Sequence, residues 1–309
     1  MTKKVVAVLA LSVLSSNAFA SQAKNTISGG GDGGRILGGA GMYGSFYTND
    51  EYNIFWNPAF ISGQKNWAIV ENGTGSGTSA GFVTDVSTVN VGVFFNRPTT
   101  GVNGSRAVDL VVGGDMGAKW GVGLTRTLSE GAPNFTKVNA GVIVADFEPF
   151  VNFNVTDSNG ATNAVKTSNT IIGTRYHWGE WTPYAAYRTT KTGTAGTATN
   201  TWGLGLGRMA KFGDIHMDYA VSYWRGNNNT GSVVPVNMNI AADAASWLTF
   251  RVGFSHDVIA RKVAPATTTT LGSTVKMGKA DLDMVIGQTG NAFGFSDDLF
   301  ANAGLTYRW

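Results

Sequence analysis

Apolar and polar side chains alternate one by one along most of the chain from residue 65 to the C-terminus. Val89, Val91 and Val93 share one face of an extended segment, with Asn90 and Gly92 on the other. The same period of two recurs at Val108–Val112, Trp120–Leu124, Ile215–Tyr223, Leu248–Phe254 and Leu282–Ile286. A period of two is typical of β-strands with one apolar face and not of helices.

The connections between these segments alternate between short and long. Tight turns are predicted at Gly114–Gly117, Phe147–Pro149, Gly179–Glu180, Gly213–Asp214 and Gly278–Lys279, with longer polar stretches between them. Counting back from the C-terminus gives about fourteen strands to Val89, and Lys65–Asn72 and Thr78–Asp85 raise the count to about sixteen, the preferred number. The pattern predicts an all-β fold over residues 65–309, a transmembrane antiparallel up-and-down β-barrel of about 14–16 strands.

The last eight residues form the most informative strand. Leu305, Tyr307 and Trp309 fall on one face, so two aromatic rings end an apolar row. The positions of Asn302, Gly304, Tyr307 and Trp309 resemble the terminal signal by which the assembly machinery recognises bacterial outer-membrane barrels. A soluble β-sandwich or propeller is the alternative, but it does not explain the terminal aromatic pair or the recurring apolar face.

The N-terminus predicts export. Lys3 and Lys4 precede an apolar run, Val5–Leu14, and the small residues around Ala18 and Ala20 form a cleavage site. Residues 1–20 are therefore expected to be a signal peptide, cleaved after Ala20, since the run is too short to span a bilayer as a helix. The alternative is an uncleaved anchor. The expected location is the cell outer membrane, with its lipids and the barrel assembly machinery as partners.

Composition agrees with a lipid-facing wall. Charged residues make up only 14% of the chain and Gly numbers 42 of 309 residues. There is no Cys, so neither a disulfide framework nor a thiolate metal site is available. Loss of residues 1–20 leaves 21 of the 23 basic residues against 20 acidic ones. This near-neutral balance gives no reason to expect a nucleic-acid partner.

Residues 21–64 break the strand rhythm. Pro58 disfavours a regular strand, and Tyr52, Phe55 and Trp56 beside Asn57 need burial, for which the barrel lumen is the nearest place. We therefore expect residues 21–64 to form a plug in the lumen; a loose periplasmic extension is the alternative. The run Gly38–Gly41 followed by Phe55–Ala59 resembles the amino-terminal region of the FadL-type outer-membrane transporters. That resemblance implies a hatch inside a fourteen-stranded barrel and the passage of hydrophobic compounds.

The inward faces of the strands carry charges of both signs, which tune selectivity in water-filled barrels. By alternation, the lumen-lining candidates are Asp109, Lys119, Arg175, His177, Arg188, Asp218, Arg251, Lys276, Asp281, Asp283 and Arg308. The expected function is a channel for the passive passage of small solutes, with hydrophobic compounds as the version that the FadL-type resemblance implies. A general porin for small polar solutes and a non-conducting structural barrel remain open alternatives.

No pattern of catalytic or cofactor-binding residues stands out. The glycines at 29–34 fit a nucleotide-loop spacing but follow a signal peptide and not a strand. His177, His216 and His256 lie on separate segments without metal-ligand spacing. Neighbouring residues of a strand point to opposite faces, so Ser255 and Asp257 cannot complete a triad with His256 locally. We therefore expect neither enzymatic activity nor a cofactor or metal.

Overall fold

The structure is a computed structural model. It describes residues 51–73, 77–96, 107–127, 134–157, 167–192, 198–227, 231–262, 265–291 and 299–309. The expected signal peptide, residues 1–20, and residues 21–50 of the expected plug lie outside these described residues.

Sixteen antiparallel strands close into a ring. Each strand pairs with its neighbours in the chain, and β1 pairs with β16 from Trp67 opposite Arg308 to Gly73 opposite Asn302. The predicted up-and-down barrel is confirmed, and its sixteen strands match the preferred count and differ from the fourteen of the FadL-type family. The strands are β1 (Trp67–Gly73), β2 (Gly77–Val86), β3 (Val89–Phe95), β4 (Ala107–Asp115), β5 (Lys119–Thr127), β6 (Asn134–Ile143), β7 (Phe150–Asp157), β8 (Thr167–Arg175), β9 (Trp181–Thr192), β10 (Thr199–Phe212), β11 (Ile215–Gly226), β12 (Ser232–Ala245), β13 (Leu248–Arg261), β14 (Ala266–Met277), β15 (Ala280–Asn291) and β16 (Leu299–Arg308).

Seven short turns lie at one end of the barrel, which we call the short-turn end; the other is the long-loop end. Gly179, Gly213 and Gly278 have positive φ in three of these turns, a conformation that glycine adopts without strain. The predicted turn at Gly114–Gly117 lies slightly later, because β4 continues to Asp115. The predicted turn at Phe147–Pro149 lies earlier, at 145–146, where Val144 and Phe147 pair across it. The turns between β2 and β3 and between β12 and β13 were not predicted; in the first, Ser87 and not a glycine takes the positive φ.

Inward and outward faces alternate along each strand as the sequence predicted. In β4, Leu110 is 44% exposed on the outside, whereas its neighbour Asp109 is 1% exposed on the inside. Large apolar side chains cover the outer face of all parts of the ring that the structure describes, among them Val122, Ile172, Leu204 and Ile286. A continuous apolar outer surface is suited to lipid and would be unusual on a soluble protein.

Aromatic rings mark the two edges of this apolar band. On β10, Trp202 lies near the long-loop end and Phe212 at the short-turn end, both facing outward. The ten residue steps from Trp202 to Phe212, tilted as in membrane barrels, cover about 25 Å along the barrel axis. Trp178 and Trp181 add exposed rings at the short-turn end. The spacing matches the apolar band of outer-membrane barrels and its aromatic girdles.

Among the described residues, no helix has the length and hydrophobicity needed to cross a bilayer.

Candidate functional site in the barrel lumen

Two short 3₁₀-helices precede the first strand and lie inside the ring. They are η1 (Glu51–Phe55) and η2 (Pro58–Gly63), and we call residues 51–66 the inner segment. The Asn57 side chain caps η2 by accepting a hydrogen bond from the Ala59 amide at 3.1 Å, and Pro58 takes the first helical position, where its missing amide costs nothing. The sequence Asn57-Pro58 therefore starts a tight helical turn and not a strand.

Three inward glycines make room for the inner segment. A Cβ atom on Gly121 would lie 2.2 Å from the Pro58 carbonyl oxygen, and one on Gly141 would lie 1.9 Å from Asn57 Oδ1. A Cβ on Gly113 would approach Ile61 to 2.7 Å. We call these glycines of β4, β5 and β6 the glycine seat. Any larger residue at these positions would occupy the space that the inner segment fills.

Polar side chains of β6 hold the backbone of the inner segment. Lys137 Nζ and Asn139 Nδ2 both donate hydrogen bonds to the Phe55 carbonyl oxygen, at 2.5 and 3.1 Å. The residues Lys137 and Asn139 are themselves buried. These bonds satisfy a backbone carbonyl in a buried place, where an unpaired polar group would be costly.

Aromatic contacts bind the inner segment to two parts of the wall that are four strands apart. Phe55 packs edge-on against Phe94 of β3, with ring centroids 4.8 Å apart. Trp56 packs edge-on against Phe150 of β7 at 4.7 Å. Both Phe55 and Trp56 are almost completely buried. Each such pair contributes about 0.5–1.5 kcal/mol beyond the burial of its area.

A buried arginine cluster lies beside Trp56 at the short-turn end. The guanidinium of Arg175 is fully buried and forms an ion pair with Glu148, whose other carboxylate oxygen is 3.0 Å from His177 Nε2. The Arg175 guanidinium carbon also lies 5.2 Å from the ring of Trp56 and 4.9 Å from that of Phe60. Glu148 lies in the turn between β6 and β7. Burial alone raises the pKa of Glu148, but the hydrogen bond with His177 and the charge of Arg175 outweigh it and hold that pKa below its usual value.

One side of the inner wall is apolar along its length. A connected cluster joins Trp56 to the inward side chains of β7–β12, and we call its wall residues the apolar stripe. Trp224 and Val233 lie towards the long-loop end of the stripe, and Phe150 lies at the short-turn end. The apolar stripe consists of Phe150, Ile171, Tyr184, Ala186, Ala220, Trp224 and Val233.

The aromatic residues of the stripe face glycines across the sheet. Trp224 is directly opposite Gly203, and a Cβ on that glycine would meet the indole ring at 2.1 Å. Tyr184 is related in the same way to Gly205, and Phe150 to Gly173. Each ring therefore lies flat over a glycine of the next strand, so the inward glycines provide room for aromatic side chains as well as for the inner segment.

The other side of the inner wall is polar, with charges that neutralise one another. Arg308 Nη1 of β16 lies 2.7 Å from Asp281 Oδ2 of β15. Arg251 lies 3.8 Å from Asp283, and Thr274 donates a hydrogen bond to the same carboxylate. We call β13–β16 the polar wall. The Arg308–Asp281 pair links neighbouring strands and the Arg251–Asp283 pair reaches across β14, so both also serve to hold the sheet together.

All the predicted lumen-lining residues on strands fall on inward faces, although their surroundings differ. Asp109, Asp281 and Asp283 are buried, Arg188, Asp218, Arg251, Lys276 and Arg308 are half-buried, and Lys119 is exposed at the short-turn end. His177 lies in a turn beside Glu148. Sequence reasoning missed Glu148, because it lies in a turn, and Lys137 and Asn139, because only the path of the inner segment gives them a partner.

The residues predicted for the plug and for assembly are placed as follows. Phe55, Trp56, Asn57 and Pro58 are all buried in the lumen, whereas the side chain of Tyr52 lies outside the description. Gly304 faces inward, and the side chain of Asn302 is likewise not described. Tyr307 and Trp309 face outward, about half exposed, with stacked rings 6.4 Å apart. The outward terminal pair thus lies at the edge of the apolar band.

Each of the three histidines lies near a different polar side chain: His177 near Glu148, His216 Nε2 3.8 Å from Asp243 Oδ2, and His256 near Thr267. No group of three or more potential metal-ligating side chains occurs in the part of the chain that the structure describes. His256 Nδ1 is 2.8 Å from the hydroxyl of Thr267, and Asp257 accepts a hydrogen bond from the Ala266 amide. His177 Nδ1 is 3.4 Å from Thr182 Oγ1, and Thr182 is 1% exposed.

Comparison with known proteins identifies the fold and goes no further. No protein-family model matches the chain, and no curated protein matches it in sequence. Among solved structures, a bacterial polysaccharide outer membrane secretin superimposes with a TM-score of 0.56 and 8% identity, over 79% of this chain and 98% of the other. CdiB from Acinetobacter baumannii superimposes with a TM-score of 0.52 and 10% identity, over 79% of this chain and 59% of CdiB. The chain therefore has the fold of outer-membrane β-barrels.

Proposed function

We propose that this chain is an outer-membrane channel for the passive passage of small solutes, with hydrophobic compounds as its main cargo and the inner segment as its plug. The location is supported by the closed ring, which pairs the strand backbones within the sheet, and by its mainly apolar outer face. The expected signal peptide and terminal aromatic pair agree with export and assembly.

The apolar stripe is the observation that supports a hydrophobic cargo. Water-filled porins have polar interiors, whereas here Phe150, Tyr184 and Trp224 form an apolar core on one side of the interior. Because these side chains are at most 4% exposed, we expect a solute to reach them only when the inner segment or neighbouring side chains move aside. An apolar solute that then contacts them loses its unfavourable contact with water. The only hydrogen-bonding side-chain groups of the stripe are the Tyr184 hydroxyl and the Trp224 indole N–H, so the stripe is poorly suited to a sugar.

The polar wall supports the second candidate, a general porin for small polar solutes. Charges of both signs face the lumen there, as they do in porins. The close pairing of Arg308 with Asp281 and of Arg251 with Asp283 argues against this candidate, because paired charges interact with each other first. A structural barrel that conducts nothing is the third candidate.

Transport into lipid vesicles tests the proposal. Purified protein is reconstituted, and entry of a small hydrophobic fluorophore is compared with entry of a pentose measured by vesicle swelling. We expect the protein to accelerate the fluorophore more than the sugar. Ala220→Asp, which puts a charge in the middle of the stripe, should slow the fluorophore at least tenfold.

The matched control is Thr306→Asp, an inward substitution on β16 away from the stripe, which should leave fluorophore entry unchanged. Faster entry of the pentose than of the fluorophore would favour the porin. Entry of neither would leave the structural barrel as the function.

A further inference from the structure

We propose that Arg175 is the positioning residue that retains the inner segment in the lumen: Glu148 and His177 fix its guanidinium, and the guanidinium holds the rings of Trp56 and Phe60. The inference concerns how the plug is kept in place, which neither the fold nor the likeness to other barrels explains. It assigns a role to a charged cluster at the short-turn end.

The guanidinium of Arg175 has two kinds of partner, one on each side. On the wall side, it forms an ion pair with Glu148, which in turn lies 3.0 Å from His177. The ion pair is almost completely shielded from water, with side-chain exposures of 0% for Arg175 and 5% for Glu148. The loss of either partner would leave an uncompensated buried charge.

On the lumen side, the guanidinium faces the inner segment. Its central carbon lies within 5.2 Å of the Trp56 ring and 4.9 Å of the Phe60 ring, distances at which a cation is attracted to an aromatic face. Trp56 and Phe60 are themselves in ring contact at 5.5 Å. The Arg175 guanidinium thus joins both Phe60 of η2 and Trp56 of the preceding turn to the barrel wall.

The inner segment has other contacts with the wall, and these differ in kind from its contact with Arg175. Lys137 and Asn139 bind the Phe55 carbonyl, a backbone group that every residue type carries. The glycine seat only provides space. Arg175 contacts side chains of the segment, as Phe94 and Phe150 also do. It differs from those rings in being a cation, which is attracted to the faces of aromatic side chains in particular.

Thiol labelling measures the position of the inner segment directly, since the native chain has no cysteine. Ile61→Cys places a small thiol at a fully buried position of η2, where a membrane-impermeant maleimide reacts only after the segment leaves the wall. Gly63→Cys, at an exposed position with no atom within 4 Å of its Cβ, reports access of the reagent to the lumen.

Arg175→Lys keeps the charge but loses the flat guanidinium that bridges carboxylate and rings, and Glu148→Gln removes the anchor of the guanidinium. In full-length protein in vesicles, we expect each to raise the labelling rate of the Ile61→Cys thiol at least tenfold, with the Gly63→Cys thiol unchanged. Arg308→Lys is the matched control, because it alters an ion pair on the polar wall, and it should change neither rate.

A third variant, Phe60→Leu, leaves the barrel wall intact and so removes one ring without the folding risk of a buried charge. It should raise the labelling rate severalfold. Unchanged labelling in Arg175→Lys or in Phe60→Leu would overturn the inference. Labelling reports position and not transport, so this result is separate from whether the barrel conducts and from which solute it conducts.

Discussion

A single added methyl group on the glycine seat should displace the inner segment. In Gly121→Ala, the new Cβ would lie 2.2 Å from the Pro58 carbonyl oxygen and 2.3 Å from its carbon, where ordinary contacts begin at 3.4 Å. The two backbones must therefore separate by about 1 Å, since neither atom belongs to a flexible side chain. Pro58 cannot move alone, because the cap at Asn57 and the bonds to Phe55 hold its neighbours.

The cost of this clash sets the size of the effect. Overpacking of a close-packed site costs about 1–3 kcal/mol, which corresponds to a change of about 5–150-fold in the equilibrium between seated and displaced segment. The sheet itself is unaffected, because the backbone of β5 accepts alanine and the clash is with the segment alone. The fraction of molecules with a displaced segment should rise accordingly, and the barrel should remain folded.

Labelling of the Ile61→Cys thiol and ion conductance in planar bilayers both measure the displacement. Gly121→Ala should accelerate labelling by a factor in that range and raise the mean conductance. Gly63→Ala is the control, because nothing lies within 4 Å of its added Cβ. If Gly121→Ala labels at the native rate while the control behaves as expected, the segment does not occupy the glycine seat.

Three further outcomes follow from the same structure. Because the pKa of Glu148 is lowered, its carboxylate should stay ionised and hold Arg175 from neutral pH down to about 4.5, the ordinary pKa of a glutamate. Release of the segment, measured by thiol labelling, should begin only as the pH falls below that value. Glu148→Gln should show no such pH-dependent step. Replacing both Tyr307 and Trp309 by Thr should reduce the amount of folded barrel in cell outer membranes severalfold, measured by membrane fractionation, whereas a native level would show that the terminal rings do not assist assembly. Gly203→Val should force the Trp224 ring off the wall and lower the free energy of unfolding by about 1–3 kcal/mol in urea titrations, and an unchanged midpoint would contradict the flat stacking.

The wall of the barrel could be predicted from the sequence because the alternation of residues within each strand is enough to identify its inward and outward faces. Each strand repeats apolar and polar positions with a period of two, and lipid on one side and an enclosed interior on the other select that pattern everywhere. Even the inward placement of Asp281 and Arg308 followed from parity alone. The count of sixteen strands depended only on assigning strands to the two segments before Val89, in which the alternation is less regular.

The interior could not be predicted in the same way, because it depends on contacts between distant strands. Inward glycines such as Gly121 and Gly203 are equally compatible with water, with a stacked ring or with the inner segment, and only the register decides which of these lies over each. Lys137 lies 82 positions along the chain from the carbonyl that it binds. Glu148 lies in a turn, outside the alternation that marks inward residues, so its pairing with Arg175 left no local signal.

In our proposal, residues 51–66 narrow a barrel that would otherwise be an open channel through the membrane. Single-channel recording compares the full-length protein with a variant that lacks residues 25–60. We expect small or rare conductance steps for the full-length protein and large, long-lived steps for the deletion variant. Equal conductance in the two proteins, with both folded as barrels, would contradict it.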